Sequence, residues 1–117
     1  MPRFVILEHD HPTLHWDIML ELGGVLKTWR LPAPPPEDSR QAISIGDHRL
    51  AYLDYEGPVS GQRGTVKRWD AGTYETLAQT ASAWMVRLRG ARWHGVVTLE
   101  QQAEFAWKFS CAPIPES

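Results

Sequence analysis

Three histidines and two aspartates fall within residues 9–17, His9-Asp10-His11-Pro12-Thr13-Leu14-His15-Trp16-Asp17, of a chain that holds five histidines in all. From Leu14 the residues alternate: Leu14, Trp16, Ile18 and Leu20 are apolar, and His15, Asp17 and Glu21 fall between them. A period of two is that of a β-strand with one buried face. His15 and Asp17 then project side by side from the other face, and Met19 shares their parity. His9 and His11 lie just ahead of Pro12, at a turn that can fold an imidazole back toward that face. Two imidazoles and a carboxylate at one point make a mixed nitrogen and oxygen metal site with room for water or substrate. Asp10 and His11 compete for places in that set, and their plainer reading is a solvated turn. A closed structural site would want a fourth protein ligand, and the single cysteine, Cys111, lies near the far end. An open three-ligand site suits catalysis better, since its vacant positions can take water or a phosphate oxygen.

A second polar group lies further along. Arg40, Ser44 and His48 share strand parity if the chain stays extended through Gly46, and Tyr52 follows four residues later. A guanidinium, an imidazole and a phenol are donors suited to a phosphate. The plainer reading is a loop histidine and a half-buried tyrosine. Lys27, Lys67, Arg68, Arg87 and Arg89 read as solvated strand faces, one of which could border the site.

The elements that must carry these residues are nearly all β. Strands are expected over Arg3–Leu7, Leu14–Glu21 and Val25–Leu31, the last two joined by a Gly23-Gly24 hairpin. Pro32, Pro34, Pro35 and Pro36 make a stiff loop. Gln41–Ile45 alternates again and is expected to end at Gly46. A short helical turn fits within His48–Gly57. Thr65–Trp69 and Thr73–Leu77 flank Asp70-Ala71-Gly72, which reads as a hairpin turn. Helix is also possible near Glu75–Ser82. Trp84–Leu88, Trp93–Leu99 and Phe105–Phe109 complete the set. Eight or nine short strands with tight turns predict an all-β fold, a small closed or nearly closed barrel in one domain spanning residues 1–117.

The 117 residues can bury a real core, and 43% hydrophobic with 22% charged residues is ordinary for a globular domain. Six tryptophans are many, and most are expected in the core, not as base-stacking platforms. The formal net charge of −2 gives no broad basic field, so any contact with nucleic acid must be local, at an end or a single phosphate. One cysteine excludes an internal disulfide and fits a reducing cytoplasm. The apolar run in Met1–Glu8 is too short for a signal peptide, and nothing approaches a membrane span.

These residues resemble the 3′-phosphoesterase module of bacterial DNA ligase D and its free-standing relatives. The matching pieces are Arg3-Phe4-Val5, His9-Asp10, Leu14-His15-Trp16-Asp17, Leu20-Glu21, Gly24-Val25-Leu26-Lys27-Thr28-Trp29, Asp47-His48, Tyr52, Tyr55-Glu56-Gly57, Gly64-Thr65-Val66 and Trp69 through Glu75. Leu88-Arg89-Gly90 and Phe105-Ala106-Trp107 fit more loosely. The resemblance implies a small β-barrel enzyme that binds manganese. It implies trimming of 3′ ends of DNA or RNA-tipped DNA, with removal of a terminal ribonucleoside and then of the 3′-phosphate. Position by position it makes His9, His15 and Asp17 the metal ligands, and places Arg40, His48 and Tyr52 in the phosphate-binding and catalytic group. A DNA ligase or other end-joining proteins are the implied partners, in the cytoplasm and away from membranes.

The sequence departs from the pattern at three places. Met19 stands where the family has an arginine, Gly46 where an acidic residue is usual, and Ala33 where a lysine follows the Trp-x-x-Pro segment. A guanidinium missing from a phosphate pocket removes charge stabilisation worth about 10²–10³ in rate. Weakened activity is therefore expected, and a non-catalytic module that keeps the metal as an anchor for nucleic-acid ends or a ligase partner is the alternative. Two histidines and a carboxylate also suit an iron oxygenase on a barrel.

Overall fold

In a computed structural model, residues 1–35 and 40–113 are described, the side chains of Arg40 and Pro113 excepted. Nine strands follow one another: β1 Arg3–His9, β2 His15–Leu22, β3 Val25–Leu31, β4 Arg40–His48, β5 Gly57–Pro58, β6 Thr65–Gln79, β7 Ala83–Gly90, β8 His94–Gln101 and β9 Ala106–Pro113. Leu50–Leu53 forms a 3₁₀ turn. The sheet order is β1-β2-β3-β4-β9-β8-β7-β6-β5, and pairing of β1 with β6 closes it. Eight antiparallel strands thus make a closed barrel, with β5 added outside the ring. Closure leaves no long unpaired edge. No helix among the described residues is long and apolar enough to cross a membrane.

Alternation sorts the strands' residues into two clusters. Phe4, Ile6, Ile18, Leu20, Trp29, Leu31, Ala42, Tyr74, Trp84, Val86, Leu88, Val97, Leu99 and Phe109 come from the eight barrel strands and fill its interior. Trp29 and Trp84 are buried there, and Trp16, Trp69, Trp93 and Trp107 pack against it half-buried, as the tryptophan reading expected. The opposite parity of β1, β2, β3 and β6 supplies a smaller cluster, Val5, Leu7, Met19, Leu26 and Val66, capped by Leu53 of the 3₁₀ turn. Tyr52 and Val59 pack over it. One patch of the barrel's outer face is therefore covered by residues 50–59.

Several expectations change at this level. β2 buries both faces, because its outer one lies beneath that cover: His15 and Asp17 are buried, whereas Leu14 is exposed. Asp70-Ala71-Gly72 is no turn. β6 runs unbroken through it, with irregularities opposite Ile6/Leu7 of β1 and between its own Thr76 and Ala78. Gly72 is small for another reason: a Cβ there would lie 2.0 Å from the Arg89 carbonyl oxygen of β7. Helix near Glu75–Ser82 is replaced by strand to Gln79, where pairing with β7 outweighs helix propensity. β4 does not stop at Gly46. It continues to His48 through an irregularity, with Thr28 opposite Ile45 and Leu26 opposite His48. The Gly23-Gly24 hairpin is present, with φ of 63° and 82°, the two positive values a tight two-residue turn requires.

Candidate metal centre

The β1–β2 pairing ends with His9 opposite His15, and Leu7 lies opposite Asp17. That register puts the two imidazoles and the carboxylate on one face, at the mouth of the covered patch. Donor atoms of His9, His15 and Asp17 all lie within 4.8 Å of one another. Asp17 Oδ2 is 3.3 Å from His15 Nε2 and 4.0 Å from His9 Nδ1. Both Asp17 distances lie within the ~4.4 Å that two ligand bonds of about 2.2 Å can span.

The tautomers follow from the second nitrogen of each ring. His15 Nδ1 donates to the Thr13 carbonyl at 2.8 Å, and His9 Nε2 donates to the Arg63 carbonyl at 2.7 Å. Each ring then turns a lone pair toward Asp17, the arrangement in which metal-binding histidines are usually held. His15 Nε2 and Asp17 Oδ1 are buried without a hydrogen-bond partner. Two lone pairs and a carboxylate cannot satisfy one another; a cation between them can. The donor set therefore fits a divalent metal.

Asp10 and His11, the competing ligands, have other places. Asp10 Oδ1 accepts a hydrogen bond from the Thr65 amide at 2.7 Å. Gly64 makes room for it: its φ is +77°, and a Cβ there would come 2.2 Å from that oxygen. Asp10 thus ties the β1–β2 loop to β6. The His11 ring centroid stands 6.4 Å from that of His9, on the cavity wall.

A cavity of about 280 Å³ opens beside the three ligands. His48, Tyr52 and Met19 line it, joined by Arg30 and Arg63. His48 Nδ1 lies 3.0 Å from Thr28 Oγ1 and 2.9 Å from the Gly46 carbonyl. Because the Thr28 hydroxyl gives its proton to the Leu26 carbonyl at 3.0 Å, Thr28 Oγ1 accepts from the imidazole. Nδ1 therefore carries the hydrogen, and Nε2 is left to exchange a proton. The Tyr52 ring meets His48 edge-on at 5.6 Å.

The parity expected for Ser44 and His48 does not hold. Ser44 lies opposite Trp29, whose side chain is in the barrel interior, whereas the irregularity in β4 turns His48 to the outer face. The side chain of Arg40 lies outside the described residues. None of Lys27, Lys67, Arg68, Arg87 and Arg89 lines the cavity; Lys27 pairs with Asp47 at 3.1 Å and Arg87 with Glu75 at 2.7 Å.

Two residues of the cavity escaped the sequence reading. Arg63 sits in a loop whose course no periodicity reveals. Arg30 was within reach: counting outward from a two-residue turn at Gly23-Gly24 pairs Leu22 with Val25 and Asp17 with Arg30, the register observed.

Comparison with known proteins points to one family. A family model described as "DNA Ligase D 3'-phosphoesterase domain" matches residues 7–101. The chain is 38% identical over 81 residues to the multifunctional non-homologous end joining protein LigD of Pseudomonas aeruginosa, a match covering 64% of this chain and 10% of that protein. It is 42% identical over 79 residues to the multifunctional non-homologous end joining DNA repair protein LigD of Mycobacterium tuberculosis, covering 62% of this chain and 10% of that protein. With LigD of Mycolicibacterium smegmatis the identity is 39% over 80 residues, 63% of this chain and again 10% of the relative. The matches thus span about a tenth of the length of these relatives.

Proposed function

The chain belongs to the family of DNA ligase D 3′-phosphoesterase domains, and on that premise we propose that it is a metal-dependent phosphoesterase acting on nucleic-acid 3′ ends in end-joining DNA repair. One observation carries the reading: the donors of His9, His15 and Asp17 converge, and His9 and Asp17 line the same cavity as His48 and Tyr52. A divalent ion in that set, with manganese the metal implied by the resemblance, supplies positive charge beside the phosphoryl group.

The chain's own residues do the rest. His9 and His15 present fixed lone pairs, because each second nitrogen is tied to a backbone carbonyl. His48 is held by Thr28 and Gly46 so that Nε2 can give a proton to the leaving oxygen or stabilise charge on the phosphoryl group. Tyr52 donates to a non-bridging oxygen, and Arg40 enters the same role through the family resemblance alone. Small size and absence of a broad basic field suit a terminal phosphate better than a long stretch of duplex. The substrates are a 3′-phosphate, a 3′-terminal ribonucleoside, or both in turn. A DNA ligase or end-joining proteins are the natural partners, since they need the 3′-hydroxyl that results.

One observation favours the second reading, a binding module of low or no activity. Met19 is buried on the cavity floor where the resemblance calls for an arginine. The deciding experiment is release of phosphate and nucleoside from matched 3′-phosphate and 3′-ribonucleotide oligomers, with manganese and with chelator. Release that requires manganese supports the enzyme. Manganese-dependent binding of 3′ ends with no release makes the binding module the better account.

A further inference from the structure

Arg30 sits on β3 directly opposite Asp17 on β2, and the cross-strand pair shares the outer face with Thr28 and Leu26. The two charges stand within ion-pair range, but no hydrogen bond joins them. Arg30 Nε is 3.7 Å from Asp17 Oδ1, beyond hydrogen-bonding distance, and is buried with no partner. An arginine built to neutralise a carboxylate forms paired bonds near 2.7–2.9 Å. The Arg30 side chain makes no hydrogen bond among the described residues, and it is 37% exposed on the cavity wall.

The other described cations nearby make hydrogen bonds of their own. Arg63 donates from Nε to the Ser60 carbonyl at 2.7 Å and from Nη2 to Ser60 Oγ at 3.2 Å, which shapes its own loop. Lys27 is held by Asp47. Among the described residues, Arg30 is the guanidinium beside the metal ligands whose side chain makes no hydrogen bond. Met19, one pair along the β2–β3 ladder opposite Thr28, is packed into the apolar cluster and offers no charge. A cation held by Asp17 would use up that carboxylate's charge and leave Arg30 unopposed, facing the space where a phosphate must lie.

We propose that Arg30 binds a non-bridging oxygen of the terminal phosphate, supplying from β3 the positive charge that Met19 does not supply from β2. The inference rests on the phosphoesterase reading for its choice of anion, and it can be tested apart from turnover. The probe is an oligonucleotide ending in a 3′-methylenephosphonate, which keeps the dianion and cannot be hydrolysed. Its affinity is compared with that of the 3′-hydroxyl oligonucleotide, in manganese, by calorimetry. Wild type should prefer the phosphonate. Arg30→Met, which keeps the packing of the stem, should cut that preference about 10- to 100-fold, the span of a lost charge-assisted hydrogen bond. Manganese affinity and 3′-hydroxyl affinity should stay at their wild-type values. Arg30→Lys should fall between, since it restores the charge without the planar fork.

A wild type with no preference for the phosphonate overturns the inference, and so does an Arg30→Met variant that keeps it. Loss of manganese affinity in both Arg30 variants also overturns it, because Arg30 would then be positioning Asp17. If wild type prefers the phosphonate through Arg30 but releases no phosphate from a 3′-phosphorylated oligonucleotide, the contact stands and the phosphoesterase reading falls.

Discussion

Asp17 and Asp70 are both buried carboxylates on barrel strands, each 3% exposed, and they are satisfied in opposite ways. Asp70 accepts three backbone amides: Ala71 at 2.8 Å and Arg92 at 2.9 Å on Oδ1, and Trp93 at 2.9 Å on Oδ2. It secures the turn between β7 and β8 from the neighbouring strand. Asp17 accepts no amide among the described residues. Its neighbours are two imidazole lone pairs and a guanidinium standing too far off to bond. A buried carboxylate without donors costs several kcal/mol. Folding alone thus satisfies Asp70, whereas it leaves Asp17 Oδ1 without a hydrogen-bond partner among the described residues.

The sharpest way to break this contrast is Asp17→Asn. Manganese-dependent stabilisation should disappear, and metal-dependent release of phosphate should fall by at least about 10³-fold, because a ligand and its charge are lost together. Without metal, the variant should be as stable as wild type or more so, since an uncompensated buried charge has been removed. Thermal melts with and without manganese, beside an assay of phosphate release, check both parts. A metal-free variant much weaker than wild type would mean that Asp17 is scaffold after all.

Asp70→Ala should show the reverse. Three amides lose their acceptor inside or at the edge of the core, which should cost about 3–5 kcal/mol in urea unfolding. Below the unfolding transition, manganese affinity per folded molecule should match wild type, because no atom of the metal centre touches that turn. Loss of manganese binding without loss of stability would erase the distinction between the two carboxylates.

The sequence exposes these two aspartates unequally. Asp17 stands out because its strand alternates and a histidine shares its parity at the closest possible spacing. Asp70 sits in Asp70-Ala71-Gly72, residue types that favour turns, yet the segment is the middle of β6. What decides it is the close approach of β7, invisible until the strands are paired. Barrel closure was legible from the number and brevity of the strands. The cover over the outer face was not, since it depends on where residues 50–59 land in space. Arg30 was legible from the hairpin register, which sets it against Asp17, whereas the kink that turns His48 outward leaves no periodic trace.

A third aspartate sets the lower end of the scale. Asp54 follows the 3₁₀ turn that carries Tyr52, and it meets Arg3 of β1 at 2.6 Å. The pair is exposed on both sides, 44% and 71%, so solvent and salt screen it. The hydrogen bond from Arg3 and its charge hold the Asp54 carboxyl below the ordinary carboxylate range. A carboxyl lowered in the folded state binds its proton more weakly there than in the unfolded chain. Its contribution to stability is therefore complete above the unfolded value, near 4, and fades as the pH falls through the lower folded value. Asp54→Asn should shift the melting temperature only slightly at pH 7. That small difference should vanish in strong acid, and also at pH 7 in concentrated salt. Melts of both proteins across pH 7 to 2, in low and high salt, check it. A large, salt-resistant loss at pH 7 would show that Asp54 holds the 3₁₀ turn over the cavity as firmly as Asp70 holds its own turn, and exposure would then be a poor guide to which carboxylates the fold depends on.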